Sequence, residues 1–223
     1  MSNTSLIIGE SGTGKSTSMR NLNPKETFII NVLNKPLPFR GYKKFYTRIS
    51  ADGKTGNYYA SDNYEHIEMV IKKINTIRPE IKTLILDDFQ YLMANEFMNR
   101  ALERGYDKFS EIGKHAHDLL KMLPTLREDL DVFILTHSES NDQGKMKIKT
   151  IGKMLDEKIT IEGMYAMVLQ TELMNGTYNF ITQGDARHIA KSPMGMFLER
   201  NIPNDLAFVK QKMGEYYNED IAV

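Results

Sequence analysis

The chain has 223 residues with 29 basic and 29 acidic side chains, so its formal net charge is zero. Neutrality argues against a protein that coats nucleic acid through bulk positive charge. The absence of cysteine excludes disulfides, thiolate metal sites and cysteine catalysis. No apolar run approaches the ~20 residues that cross a bilayer, and the first residues lack the basic region of a signal peptide. We therefore expect one domain over residues 1–223, with a C-terminal tail at 205–223, in the cytoplasm and without membrane contact.

Apolar and β-branched runs predict strands at residues 4–8, 27–31, 44–49, 83–86 and 132–135. A helix is expected to begin near Lys15, and residues 51–63 are polar enough to predict a surface loop. Isoleucine and valine recur at helical spacing in residues 64–78, and Pro79 follows that pattern and ends it. Residues 89–104 and 109–126 also predict helices, and Pro124 disturbs the second of these.

Two runs late in the chain predict a β-hairpin. Residues 164–173 and 177–182 flank Asn175-Gly176, a pair of residues that favours a tight two-residue turn. The earlier strands alternate with helices, which is typical of right-handed βαβ units and a parallel sheet. The sequence therefore predicts a three-layer α/β fold with a mainly parallel sheet and a late antiparallel hairpin.

Residues 9–16 match the phosphate-binding pattern G-x-x-x-x-G-K-[ST] in full, and they lie between a predicted strand and a predicted helix. Glycines let successive backbone N–H groups curl around phosphate oxygens, the lysine reaches the β- and γ-phosphates, and the serine hydroxyl ligates Mg²⁺. The pattern predicts ATP and Mg²⁺ as ligands. The expected nucleotide-binding residues are Gly9, Glu10, Ser11, Gly12, Thr13, Gly14, Lys15, Ser16 and Thr17.

Polar side chains follow two of the predicted strands. Asp87 and Asp88 come directly after residues 83–86, at the end of a strand that faces the nucleotide in α/β sheets. We expect Asp87 to hold the metal together with Ser16, and Asp88 to polarise an attacking water. The predicted strand over residues 131–137 ends in polar residues, and His137 is the last of them, where a polar side chain can sense the γ-phosphate.

The motifs narrow the class of P-loop protein. The segment after Asp87 lacks the D-x-x-G pattern of switch GTPases, and no arginine-rich lid of a small nucleotide kinase follows late in the chain. The order of P-loop, Asp-Asp strand, polar-ended strand and hairpin resembles the RecA-like ATPase core. Residues 152–155 and 190–196 resemble phage-encoded P-loop nucleotide-binding proteins, some of which are similar to recombinases that promote single-strand annealing. This resemblance implies an ATPase of phage DNA recombination or replication that works in the host cytoplasm.

The resemblance also assigns roles to single residues. His137 takes the position of a glutamine that couples nucleotide state to a DNA-binding loop. Arg187 and Lys191 lie in a stretch similar to one that supplies basic fingers to a neighbour's ATP, which implies a homo-oligomeric ring or filament. One departure is clear, because RecA-like proteins carry a catalytic glutamate after the second strand and residues 31–34 here contain none. Either Asp88 takes that task or hydrolysis is slow.

Residues 143–158 form the most basic stretch, with five lysines against two acidic residues. Lys145, Lys147 and Lys149 alternate, so they share one face of an extended segment. They predict either contacts with single-stranded DNA or a lysine-guarded edge strand. Two other functions stay open at this point: a small-molecule phosphotransferase, and a nucleotide-gated binding protein with negligible hydrolysis.

Overall fold

A computed structural model describes residues 1–141 and 144–218. The strands are β1 (Asn3–Gly9), β2 (Thr27–Asn31), β3 (Tyr58–Ala60), β4 (Thr83–Asp87), β5 (Asp131–Ser140), β6 (Met146–Ile148), β7 (Met167–Met174), β8 (Thr177–Ile181) and β9 (Asn201–Pro203). The α-helices are α1 (Tyr42–Phe45), α2 (Tyr64–Ile77), α3 (Gln90–Asn99), α4 (Asp107–Met122), α5 (Lys153–Lys158) and α6 (Leu206–Asn218). Three 3₁₀ turns cover Ser16–Asn21, Leu123–Thr125 and Ile161–Met164.

The strands form one sheet in the order β3-β2-β4-β5-β1-β7-β8-β9, and β6 pairs with the far end of β5. The pairs from β3 to β7 are parallel, whereas β8, β9 and β6 are antiparallel to their neighbours. The carboxyl ends of the parallel strands therefore meet at one edge of the sheet, with β1 between β5 and β7. In α/β sheets this edge binds the ligand.

Apolar side chains cover both faces of this sheet and make three layers. Helices α2, α3 and α4 pack on one face, where Ile71, Leu92 and Leu120 are buried. The turn at Ser16–Asn21 and helix α6 pack on the other face. The predicted three-layer α/β fold with a mainly parallel sheet is confirmed. The predicted hairpin is also confirmed, since Asn175 and Gly176 join β7 to β8 with positive φ angles of 51° and 77°.

Two predictions in the first third of the chain are wrong. Residues 44–49 do not form a strand, because α1 covers the first of them and only Arg48 makes an isolated bridge, to Tyr58. The third strand instead lies within the expected polar loop, where β3 pairs in parallel with β2. Tertiary packing explains this outcome: the rings of Tyr46 and Tyr58 are both buried in the same apolar cluster, which local polarity does not reveal.

Two helical predictions also need correction. The segment after Lys15 is a 3₁₀ turn rather than an α-helix, because its Ser-Thr-Ser run hydrogen-bonds back to the backbone: the Ser18 hydroxyl donates to the Lys15 carbonyl at 2.5 Å. Helix α3 ends at Asn99, before the expected residue 104. The expected tail at 205–223 begins as helix α6, which buries Leu206, Val209 and Met213 in the core; residues 219–223 lie outside the described residues.

Candidate functional site

The loop at residues 9–16 joins β1 to the 3₁₀ turn and borders a cleft of about 380 Å³. Gly12 and Gly14 have φ angles of 82° and 96°, in the left-handed region that favours glycine. The cleft is lined by Ser11, Gly12, Gly14, Lys15, Ser16 and Thr17 on the loop side, and by Lys35, Pro36, Pro38, Asp88, His137 and Tyr178 opposite. The structure thus gathers most of the predicted nucleotide-binding residues around one cavity.

The loop residues that do not line the cleft, Gly9, Glu10 and Thr13, contact one another or strand β7. The Thr13 hydroxyl donates to the Glu10 carbonyl at 2.8 Å and lies 2.5 Å from the hydroxyl of Thr171 on β7. Thr171 also donates to the Ile8 carbonyl at 3.2 Å. Gly9 has no room for a side chain, because a Cβ there would lie 1.9 Å from the Thr171 hydroxyl oxygen. The start of the loop is therefore packed closely on β7.

Lys15 is buried at the base of the cleft. Its Nζ donates to the carbonyls of Gly9 at 2.8 Å and Glu10 at 2.6 Å. Burial lowers the pKa of Lys15 to about 8, while the nearby Asp88 and Asp87 oppose this shift. Phosphate oxygens in the cleft would satisfy this ammonium better than neutral carbonyls do.

Ser16 and Asp87 form a hard-oxygen pair that fits Mg²⁺. The Ser16 hydroxyl donates to Asp87 Oδ1 at 2.9 Å, and Asp87 is fully buried. Its second oxygen, Oδ2, has no hydrogen-bond partner within the described residues. Burial and the neighbouring Asp88 raise the pKa of Asp87, so a divalent cation would relieve an uncompensated carboxylate.

The number of protein ligands indicates how such an ion would be held. Among residues 1–141 and 144–218, no group of three or more His, Asp or Glu side chains could hold a metal ion by itself. Mg²⁺ in nucleotide sites uses one or two protein oxygens together with phosphate oxygens and water. The pair of Ser16 and Asp87 suits this shared coordination.

Asp88 lies at the centre of a charged cluster. Lys35 Nζ lies 2.5 Å from Asp88 Oδ2, and His137 Nε2 lies 3.5 Å from Oδ1. Burial by itself would raise the pKa of Asp88, but the hydrogen bonds with His137 and Lys35 outweigh it and lower that pKa. Asp88 has a φ of 64°, a left-handed conformation in a non-glycine residue. His137 packs edge-on against Tyr91, with ring centroids 5.6 Å apart.

Lys35 belongs to none of the predicted motifs and reaches the site through the loop after β2. Asn31, the last residue of β2, is buried and its Nδ2 donates to the Lys35 carbonyl at 2.9 Å. Asn34 takes a left-handed φ of 53°, and prolines at 36 and 38 restrict the backbone that follows. No local motif marks Lys35, because its position beside Asp88 depends on the pairing of β2 with β4.

Arg187 and Lys191 do not line the cleft of their own chain. The Arg187 side chain is exposed, and its carbonyl accepts a hydrogen bond from the Met146 amide at 2.9 Å. Lys191 pairs with Val168 on β7 through two backbone hydrogen bonds of 2.8 Å. The predicted role of these residues as fingers toward a second subunit stays a prediction.

Residues 146–148 of the lysine-rich segment form strand β6, and Lys153–Lys158 form α5. Strand β6 pairs antiparallel with the end of β5 and sets Lys147 opposite Glu139, with 3.6 Å between the Lys147 Nζ and Glu139 Oε1 atoms. Lys145 and Lys149 are exposed on either side of β6. The Lys149 amide donates to the His137 carbonyl at 2.9 Å, which joins this segment to the cleft.

The chain is similar to solved structures with which it shares little sequence identity. A KaiC-like protein from the hyperthermophilic archaeon Pyrococcus horikoshii OT3 is 17% identical, with 80% of this chain and 77% of that chain covered and a TM-score of 0.43. The genome packaging NTPase of Sulfolobus turreted icosahedral virus 2, solved with ATP-gammaS, is 11% identical, with 78% and 76% covered and a TM-score of 0.41. No curated protein matches the sequence significantly.

The described helices include none with the length and apolarity needed to span a membrane. A family model described as "AAA domain" matches residues 2–130, more than half of the chain, and this match includes the loop at 9–16 and both aspartates after β4. The chain belongs to this AAA domain family and is a nucleotide-binding P-loop ATPase-like domain.

Proposed function

We propose that this protein hydrolyses ATP with Mg²⁺ in the cleft beside the P-loop, and that hydrolysis serves DNA recombination by single-strand annealing. The observation that carries the first part is the convergence of Lys15, the Ser16–Asp87 pair and Asp88 on one cavity. Lys15 neutralises the β- and γ-phosphates, and Ser16 and Asp87 hold the metal. Bound Mg²⁺ would neutralise charge on the phosphate oxygens.

In this proposal Asp88 orients the attacking water. A carboxylate with a lowered pKa is a weak base, but it accepts hydrogen bonds well. The ion pair with Lys35 occupies Oδ2 of Asp88, and the negatively charged γ-phosphate offers Lys35 an alternative partner. Nucleotide binding would thus move Lys35 toward phosphate and release Asp88.

The proposed link to DNA depends on His137. Its ring contacts Asp88 in the cleft, and its carbonyl accepts a hydrogen bond from the amide of Lys149. A change at the γ-phosphate therefore has a short covalent and hydrogen-bonded route to the lysine-rich strand. Lys145, Lys147 and Lys149 would contact the phosphates of single-stranded DNA. In this proposal the protein is phage-encoded, and Arg187 and Lys191 act across the interface of a homo-oligomer.

Steady-state ATP turnover with and without single-stranded DNA tests the proposal. We expect DNA to stimulate turnover, Lys15→Ala to abolish it, and Asp88→Asn to reduce it strongly while ATP binding persists. Unchanged turnover in Asp88→Asn would remove Asp88 from the mechanism. ATP binding without turnover would favour a nucleotide-gated binding protein, and phosphate transfer to a nucleoside without DNA stimulation would favour a phosphotransferase.

Salt dependence tests the DNA contacts. For single strands each phosphate contact contributes about 0.7 to the slope of log affinity against log salt, so neutralising Lys145, Lys147 and Lys149 is expected to lower that slope by about 2. Neutralising three exposed lysines on the helical face, at positions 72, 114 and 121, is the matched control. An equal loss in both triple variants would indicate bulk charge rather than contact by this strand.

A further inference from the structure

One wall of the nucleotide cleft carries no charge and is formed by an aromatic ring. Tyr178 lies on β8 and lines the cleft together with Gly14 and Thr17. Its side chain is partly open, with 44% of the residue exposed. The ring also covers the loop closely, because a Cβ placed on Gly14 would lie 2.9 Å from Tyr178 Cδ1. Neither the P-loop pattern nor the carboxylate pair assigns a task to this ring.

The order of the strands indicates which end of a nucleotide faces Tyr178. Asp87 and Asp88 stand at the end of β4, and His137 lies on β5 where its pairing with β1 ends; both strands are on one side of β1. Strands β7 and β8 lie on the other side of β1. A polyphosphate whose γ-phosphate lies by the charged wall and whose chain crosses the P-loop must point its nucleoside toward β8, where Tyr178 stands.

Backbone contacts fix the position of the strand that carries Tyr178. The amide of Asn204 donates to the Tyr178 carbonyl at 3.4 Å, and Arg20, from the 3₁₀ turn after the P-loop, donates to the Asn204 carbonyl at 2.7 Å. The Asn204 side chain is buried with its Oδ1 3.1 Å from a Cβ position on Gly14. The hairpin, the segment before α6 and the 3₁₀ turn after the P-loop therefore meet at one corner, which places Tyr178 beside the cleft.

We propose that Tyr178 is the base-stacking residue of this site and that it makes the site selective for purine nucleoside triphosphates. The proposal rests on the nucleotide-binding function proposed above. A flat phenol ring beside an open cleft stacks on the face of any base, and larger purine rings gain more from stacking than pyrimidines do. The hydroxyl group is not required for this contact, so phenylalanine can replace tyrosine.

Calorimetric titration with ATP, CTP and inorganic tripolyphosphate tests this inference. Base–aromatic stacking energies correspond to a loss of about 5- to 150-fold in affinity on truncation to alanine. We expect Tyr178→Ala to lose ATP affinity by that factor, to compress the preference for ATP over CTP, and to bind tripolyphosphate as the wild type does. Tyr178→Phe should retain both the affinity and the preference.

The controls separate this inference from the proposed function. Tyr217, on α6, is exposed to a similar extent at 47% and does not line the cleft, so Tyr217→Ala should bind all three ligands normally. If the wild-type protein binds no ATP, or if Lys15→Ala binds ATP as tightly as the wild type does, the proposed function fails. If wild-type binding depends on Lys15 but Tyr178→Ala keeps full ATP affinity, or loses tripolyphosphate equally, the stacking role is overturned.

Discussion

Replacement of Gly9 by alanine is expected to destabilise the protein through a clash that is most severe with Thr171. The added Cβ would lie 1.9 Å from the Thr171 hydroxyl oxygen, 2.8 Å from that of Thr13 and 3.2 Å from Thr171 Cβ. Overpacking of this kind costs about 1–3 kcal/mol in unfolding free energy. Displacing Thr171 also weakens its hydrogen bond to the Ile8 carbonyl and its contact with the Thr13 hydroxyl, at about 1 kcal/mol. We expect a total loss of about 2–4 kcal/mol.

A double-mutant cycle identifies the clash as the cause. Thr171→Ala alone should cost about 1 kcal/mol, because it removes only the hydroxyl contacts. In Gly9→Ala/Thr171→Ala the 1.9 Å clash is absent, whereas approaches of 2.8 Å to the Thr13 hydroxyl oxygen and 3.2 Å to the Cβ at position 171 remain. The double variant should therefore be more stable than the sum of the single effects, by about 1–2 kcal/mol. Urea unfolding with an unchanged m-value measures each step.

Gly12→Ala is the matched control for this cycle. Gly12 lies in the same loop with a φ of 82°, and nothing lies within 4 Å of a Cβ placed there. Alanine at this position costs about 1–2 kcal/mol through backbone strain, and Thr171→Ala cannot relieve that strain. Additive free energies in the Gly9 cycle, or equal coupling in the Gly12 cycle, would refute the reasoning.

Two further predictions concern the ligands. ATP affinity without Mg²⁺ should fall as the pH rises above about 8. The pKa of buried Lys15 is lowered to about 8, so above that pH the binding of ATP must also protonate the lysine. Lys15→Ala should lose this pH dependence, and a flat wild-type profile would contradict the prediction. Asp87→Asn keeps an acceptor for the Ser16 hydroxyl but removes the charge that suits a cation. It should bind ATP as the wild type does without Mg²⁺ and lose the gain that Mg²⁺ adds; titration with and without the ion measures both, and full retention of that gain would remove Asp87 as a ligand.

Local signals accounted for much of the fold. The glycines of the P-loop, the Asn175-Gly176 turn and the isoleucine spacing of α2 act over a few residues each, so the sequence pattern predicts their conformation directly. Local patterns do not predict the strand at residues 58–60 or the 3₁₀ turn at Ser16–Asn21. The first depends on burial of Tyr58 against distant residues, and the second on side chains that compete with the helical backbone.

Short sequence segments predict the residues around the phosphates, because the P-loop and the strand followed by Asp87 and Asp88 are each contiguous in the chain. No contiguous segment predicts the positions of Lys35 and Tyr178 in the site. Lys35 reaches Asp88 because β2 lies beside β4, and Tyr178 covers Gly14 because β8 lies two strands from β1. Strand order in a sheet arises from long-range packing. The tertiary structure therefore decides which residues lie opposite the P-loop and form the two walls of its cleft.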